Sequence, residues 1–184
     1  MPDVSDRITQ LLYPLAAFCG PEVASKLEIL DPAQLAEPYR RLLVHENDMT
    51  GTLERYHGQP MVLRVAEKIV TSHEVMRQVE LIGQHDETVA EFGAIRIHLD
   101  CFEDEPKRLV IEGHRPLGGI LTGFSMAFVS RPGAFFRIKP DHTIKTSLRA
   151  PLDGWLYGRC NQLFTPGGAS IADAVEILPA VPAS

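Results

Sequence analysis

Apolar residues recur along this chain first at helical spacing and then at strand spacing. Between Asp6 and Phe18, the side chains of Ile8, Leu11, Leu12 and Leu15 fall on one helical face. Asp31-Pro32 sets an N-capping side chain before a first-turn proline and predicts a second helix. Its stripe is Leu35, Tyr39, Leu42 and Leu43, divided or bent by Pro38. Asp48 predicts the start of a third, with Met49, Leu53 and Tyr56 on one side and Gly58 closing it. From Met61 the period becomes two. Met61, Leu63, Val65 and Ile69 share one face of a predicted strand over 61–70, opposite Arg64 and Lys68. Val75 to Ile82 alternates again, Gln84 to Glu87 is a polar turn, and Val89 to His98 completes an antiparallel pair. Glu103 to Gly113 reads as a helix and Pro116 to Thr122 as a shorter one. Met126 to Ile138 reads as strand with a turn at Arg131-Pro132-Gly133, and Trp155 to Phe164 and Ala169 to Leu178 form a hairpin through Pro166-Gly167-Gly168. Helices first and a sheet afterwards predict the α+β class, with N-terminal helices packed on a mainly antiparallel sheet.

Composition narrows the picture. The chain has 184 residues, 45% apolar and 23% charged, which suits one domain with a substantial core. No repeat or linker divides it, so the expected organisation is a single domain over 1–184, with a helical extension over 1–30 and a tail over 180–184. A net charge of −6 argues against a nucleic-acid partner, which calls for a basic stripe. No apolar run is long enough to predict a membrane span. The acidic start does not read as a leader, and Cys19, Cys101 and Cys160 lie far apart in no metal or redox spacing, so the expected location is cytoplasmic, with reduced thiols. The seven histidines are scattered, and His45-Glu46 fails as the opening of a zinc motif because position 49 is methionine. Ser125 and Cys160 have no sequence-visible base partner. The expectation is therefore no metal site, in a monomer or homodimer.

Two charged residues stand at inward strand positions. In the strand at 75–82, Arg77 shares the more apolar face with Val75, Val79 and Leu81. In the last strand Glu176 shares a face with Ser170, Ala172, Ala174 and Leu178, although both faces there are partly apolar. A buried guanidinium or carboxylate costs several kcal/mol unless it is paired. Pattern alone leaves two readings open. Arg77 and Glu176 pair with each other or with other side chains, or they face a ligand. A guanidinium suits bidentate capture of a ligand carboxylate. A carboxyl in an apolar pocket is expected to titrate high and to serve as an acid or hydrogen-bond donor.

Five short strings, in order between Leu42 and Pro179, resemble the chorismate pyruvate-lyase family. They are Leu43-Val44-His45-Glu46-Asn47-Asp48-Met49-Thr50 with Leu53-Glu54, Val75-Met76-Arg77-Gln78-Val79, Arg115-Pro116-Leu117-Gly118, Leu156-Tyr157-Gly158-Arg159, and Val175-Glu176-Ile177-Leu178-Pro179. The resemblance implies a chorismate lyase-like fold and a carbon–oxygen lyase that needs no cofactor, eliminating pyruvate from chorismate or a related acid to leave a hydroxybenzoate. It implies that Arg77 anchors the ring carboxylate, that Glu176 sits by the hydroxyl end and assists catalysis, and that Leu117 and Gly118 lie against the ligand, near Met49. The partner implied is a small aromatic or cyclohexadienyl carboxylate. On this reading Glu176→Gln spares folding and slows turnover. The sequence departs from the family at Ala90-Glu91-Phe92, where Phe92 stands for a second arginine and is expected to contact the ligand in its place, and in a longer stretch from Phe124 to Asp153. These departures imply a divergent member, with an altered substrate or regiochemistry, or a non-catalytic aromatic-carboxylate sensor of the same fold.

Overall fold

The computed structural model describes residues 4–150 and 154–181. The first three residues of the expected N-terminal extension and the last three of the tail lie outside the described residues. Helix α1 (Val4–Cys19) buries Leu11, Leu12 and Leu15, the stripe its sequence spacing predicts. After a 3-10 turn comes β1 (Leu27–Leu30), inside the stretch expected to be helical; four half-exposed residues carry too little periodicity to signal a strand. The helix expected after Asp31 is a capped 3-10 turn followed by a separate α2 (Tyr39–Leu43), with Pro38 at the division. Helix α3 (Met49–His57) begins where Asp48 accepts from the Gly51 amide at 2.8 Å and stops at Gly58, which adopts φ 66°.

The strands β2 (Met61–Val70), β3 (Glu74–Gly83) and β4 (Val89–His98) follow as antiparallel neighbours. Then come α4 (Asp104–Glu112), α5 (Leu117–Gly123), β5 (Val129–Ile138), α6 (His142–Leu148), β6 (Leu156–Phe164) and β7 (Ser170–Leu178). All seven strands form one antiparallel sheet in the order β1-β5-β6-β7-β4-β3-β2.

Three local expectations fail for identifiable reasons. Val65 pairs with Val79 but Glu67 pairs with Gln78, so Ala66 is the extra residue of a bulge. Beyond it the alternation inverts, and Ile69 leaves the face of Met61 to stand opposite Met76. Arg131-Pro132-Gly133 is not a turn but a register shift within β5. There β5 borders β6 alone, since β1 pairs only with Phe135 to Ile138, and an edge position tolerates a proline that has no N–H to donate. Helix α6 is unforeseen. Asp141 caps it by accepting from the Ile144 amide at 2.9 Å, and Ile144 and Leu148 are buried.

Helices α1 and α6 cover one face of the sheet, where Leu11, Leu12 and Leu15 join Phe92, Phe136 and Ile177 in one core. The other face carries two further apolar clusters. One gathers α2, α3, Met61 and Leu81, and the other gathers α4, α5, Val75 and Ile97. The ends of these two clusters stop short of each other over the middle of the sheet, and that gap is the cavity described next.

Candidate functional site

The cavity, of about 100 Å³, is floored by β3, β4, β6 and β7 and rimmed by the starts of α3 and α5. A single water needs only about 10–15 Å³ by this measure, so the space exceeds that of one bridging water several-fold. Sheet register fixes its floor. Arg77 lies opposite Ile95, Val79 opposite Gly93, Gly93 opposite Glu176, and Glu176 opposite Arg159. Strand alternation therefore presents all of Arg77, Gly93, Glu176 and Arg159 to one face. At the rim, Asp48 and Gly118 approach closely enough that a Cβ on Gly118 would lie 3.5 Å from the Asp48 Cβ. Met49, Leu117 and Gly118 line the cavity, as do Arg77 and Glu176.

Arg77 and Glu176 do not pair with each other. Glu176 is bonded by the Nε of Arg159, a residue with no solvent exposure. The other donors of Arg159 are taken too. Its Nη1 donates to the carbonyls of Leu43 at 3.0 Å and His45 at 2.9 Å and to the His45 Nδ1 at 3.2 Å, and its Nη2 reaches the Asn47 carbonyl at 3.4 Å. Arg159 thus ties the segment before α3 to the sheet and orients Glu176, and it is not among the residues that line the cavity. The imidazole of His45 accepts from Arg159 on Nδ1, and its Nε2 lies 2.8 Å from the Leu42 carbonyl. Burial, then the Arg159 charge, pull its pKa below the usual histidine range, which keeps it neutral.

Arg77 is the counterpart without a counterion. It is 1% exposed, and among the described residues no carboxylate lies within salt-bridge distance. Its Nη1 makes one long hydrogen bond to the Arg115 carbonyl, 3.5 Å, and its Nε has no partner. Burial lowers its pKa to about 10, so it remains a cation at neutral pH. Among the described residues that line the cavity, it is the one cation.

The structure corrects one expected site residue and adds another. Phe92 does not face the cavity; it points to the opposite side of β4 and packs with Leu11 and Leu12 of α1. Its neighbours Glu91 and Gly93 line the site, as do Ala94 and Ile95 of the same strand. Glu91 is buried, its Oε2 has no hydrogen-bond partner, and its Oε1 leans back over Gly93, 2.9 Å from where a Cβ would stand. Desolvation, then the charge of Glu176, raise its pKa well above the carboxylate range, with Arg159 opposing. Glu91 is thus a high-titrating carboxyl of the cavity, while Glu176 enters the site as half of an ion pair and a hydrogen-bond acceptor.

No family model matches the chain. It is 34% identical over 87 residues to a probable chorismate pyruvate-lyase of Aliivibrio fischeri, an alignment covering 47% of each chain, so it spans about half the length of that curated relative. Among solved structures it is similar to PhnF from Mycobacterium smegmatis, with a TM-score of 0.58 at 8% identity over 74% of this chain and 65% of that one. The effector domain of the same protein matches with a TM-score of 0.57 at 8% identity, over 75% of this chain and 91% of that one. These likenesses bear on the fold. The architecture is α+β, helices on a seven-stranded antiparallel sheet, and chorismate lyase-like. Among the described residues no helix is long and apolar enough to cross a membrane.

Proposed function

We propose that the cavity binds a small aromatic or cyclohexadienyl carboxylate, and that the chain is a divergent, cofactor-independent carbon–oxygen lyase resembling chorismate pyruvate-lyase. The observation that carries this reading is the buried, unpaired guanidinium of Arg77 at the wall of an otherwise mostly apolar space. A charge held there costs several kcal/mol until something opposes it, and a ligand carboxylate does so in bidentate geometry. The partial likeness to a probable chorismate pyruvate-lyase supports the same substrate class.

The sheet sets Arg77 and Glu176 at different places around one cavity. Arg77 stands in the row of Ile95, and Gly93 with Glu176 forms the next row on the same face. Strand β4 lies between β3 and β7, so the two backbones are offset by about 6.6 Å along the strands and about 9–10 Å across them, and the two side chains meet the cavity from different strands. With Arg77 on the carboxylate, Glu176 accepts from the oxygen at the far end. In the elimination, the ring C–O bond to the enolpyruvyl group breaks together with a neighbouring ring C–H bond. The ring becomes aromatic, and the proton ends on the enolpyruvyl methylene carbon, giving pyruvate. Aromatisation drives the step, so the protein contributes orientation and exclusion of water.

One observation favours a second reading, a binding module that does not turn over its ligand. Chorismate carries two carboxylates, and Arg77 is the one cation among the described residues that line the cavity, Arg159 being engaged with Glu176 and backbone carbonyls outside that lining. A hydroxybenzoate, with one carboxylate, matches that count better. Incubating the protein with chorismate while following pyruvate separates the two. Pyruvate release above the uncatalysed rate, lost in Arg77→Ala, supports the lyase. Tight 4-hydroxybenzoate binding with no pyruvate formed sinks the lyase and leaves the binding module.

A further inference from the structure

Glu91 is a polar group for which the fold has no use. It is buried in the middle of a sheet with one carboxyl oxygen unpartnered, and none of the described ion pairs includes it. The next residue on its face of the strand, Gly93, is a glycine, and that absence of a side chain is what lets the carboxyl fold back toward the row of Glu176 instead of following its own row. Any residue larger than glycine at 93 would also press on the Val175 carbonyl, 3.2 Å from the missing Cβ. The result is two carboxyl groups at the same end of one cavity, with Arg77 a row away.

Two carboxylates so close do not both ionise when a single guanidinium serves them. Arg159 bonds Glu176 and no described cation bonds Glu91, so the arrangement favours the charge on Glu176 and the proton on Glu91. The consequence is a pair of opposite hydrogen-bonding sense. Glu176 only accepts, while Glu91 has an O–H to donate and no protein acceptor for it among the described residues. One functional group satisfies both at once: a hydroxyl, which accepts from one and donates to the other. An ether accepts but has nothing to give Glu176, and a bare C–H does neither.

We propose that Glu91 is a ligand-contacting residue that donates a hydrogen bond to the oxygen at the far end of the bound acid, so that Glu91 and Glu176 together select a hydroxyl at that position. This rests on the reading of Arg77 as the carboxylate anchor and deepens it from a ring carboxylate to a hydroxylated ring carboxylate. The desolvation that pushes the Glu91 carboxyl up is in the direction the assignment requires. Gly93 is the permissive residue and Glu91 the discriminating one.

The test is a titration-calorimetry grid of 4-hydroxybenzoate, 4-methoxybenzoate and benzoate against the wild-type protein, Glu91→Gln and Glu91→Leu. The wild type should prefer 4-hydroxybenzoate over both analogues by about tenfold or more, the scale of a lost hydrogen bond to a buried polar group. Glu91→Leu should weaken 4-hydroxybenzoate by about tenfold and leave benzoate within about threefold, erasing the preference. Glu91→Gln, whose amide still donates, should keep it. An unchanged preference in Glu91→Leu overturns the proposal and makes Glu91 a packing residue. Tighter binding in both variants overturns it by showing an ionised, repelling carboxylate. Should Glu91→Leu not fold, Glu91→Met carries the same comparison. Binding of none of the three acids to the wild type overturns the Arg77 anchor itself. Binding that persists in Arg77→Ala does the same, whereas loss in Arg77→Ala with preference intact in Glu91→Leu sinks only the role of Glu91.

Discussion

Arg77 brings a charge into the sheet with one long hydrogen bond and no carboxylate to meet it. Such a residue is a liability to the empty protein and an asset to the liganded one, and the two effects are separable. Arg77→Met keeps the aliphatic stem and removes the charge. It should stabilise the empty protein by about 1 kcal/mol or more, a rise of about 2–4 °C in melting temperature for a chain of this size. The same variant should lose about 2–5 kcal/mol of carboxylate binding. Thermal melts and calorimetry on one preparation read both, and a lower melting temperature would mean that the bond to Arg115 outweighs the unpaired charge. Glu176 behaves in the opposite way. Because Arg159 depends on it, Glu176→Gln should cost about 1–3 kcal/mol of stability, contrary to the expectation that it spares folding. Turnover of that variant is therefore to be read well below its melting temperature, checked by circular dichroism. Had the side chain faced only a ligand, the substitution would be silent in a melt.

At the scale of elements, the floor of the site depends on how closely β6, β7 and β5 meet. A Cβ on Gly158 would collide with the backbone carbonyl of Glu176 and lie 2.6 Å from the Phe136 ring. The glycine before Arg159 is thus the contact that seats β7 beside β6 and sets Glu176 opposite Arg159. Gly158→Ala should destabilise by about 1–3 kcal/mol, the range for overpacking, and should weaken ligand binding through displacement of Glu176. Urea unfolding and calorimetry test it, and a variant of unchanged stability would refute the steric account. Strand alternation made Arg77 and Glu176 visible in the sequence because each interrupts an apolar face at period two. Glu91 was not visible on the same grounds. Its own face, with Gly93 and Ile95, looks no more apolar than that of Ala90, Phe92 and Ala94, so nothing in the pattern says which side meets the cavity. The Arg159 partnership was hidden for another reason, since it depends on which residues face each other across β6 and β7. Helix α6 and strand β1 were missed because each is only a few residues long, and the bulge at Ala66 because one extra residue leaves the hydrophobic pattern almost intact.

For the molecule as a whole, the buried ionisable groups set how stability follows pH, and they pull in opposite directions. Glu91 has a folded-state pKa raised well above its ordinary 4.5. The folded protein therefore holds a proton that the unfolded chain gives up, and stability falls as pH rises from about 4.5 toward the folded value. His45 and His57 are lowered from 6.5, chiefly by burial, so in acid the unfolded chain takes up protons that the folded one refuses. Their contribution is present above about 6.5 and is lost as pH falls through that value. Between 4.5 and 6.5 the two effects oppose each other. Above 6.5 the histidines no longer contribute a slope, and the decline due to Glu91 ends where pH passes its folded-state pKa, with Glu176 and Arg159 the charges that modulate it. Glu91→Gln is close in shape to the protonated acid and cannot ionise. It should melt near the wild type at pH 4.5, and between there and pH 8 the gap in its favour should widen until pH passes the folded-state pKa of Glu91 and stay level beyond it. Melting curves of the two proteins across that range provide the measurement. A gap that stays constant with pH would show that Glu91 is ionised in the folded state throughout, and the hydroxyl-selecting role assigned to it would lose its donor.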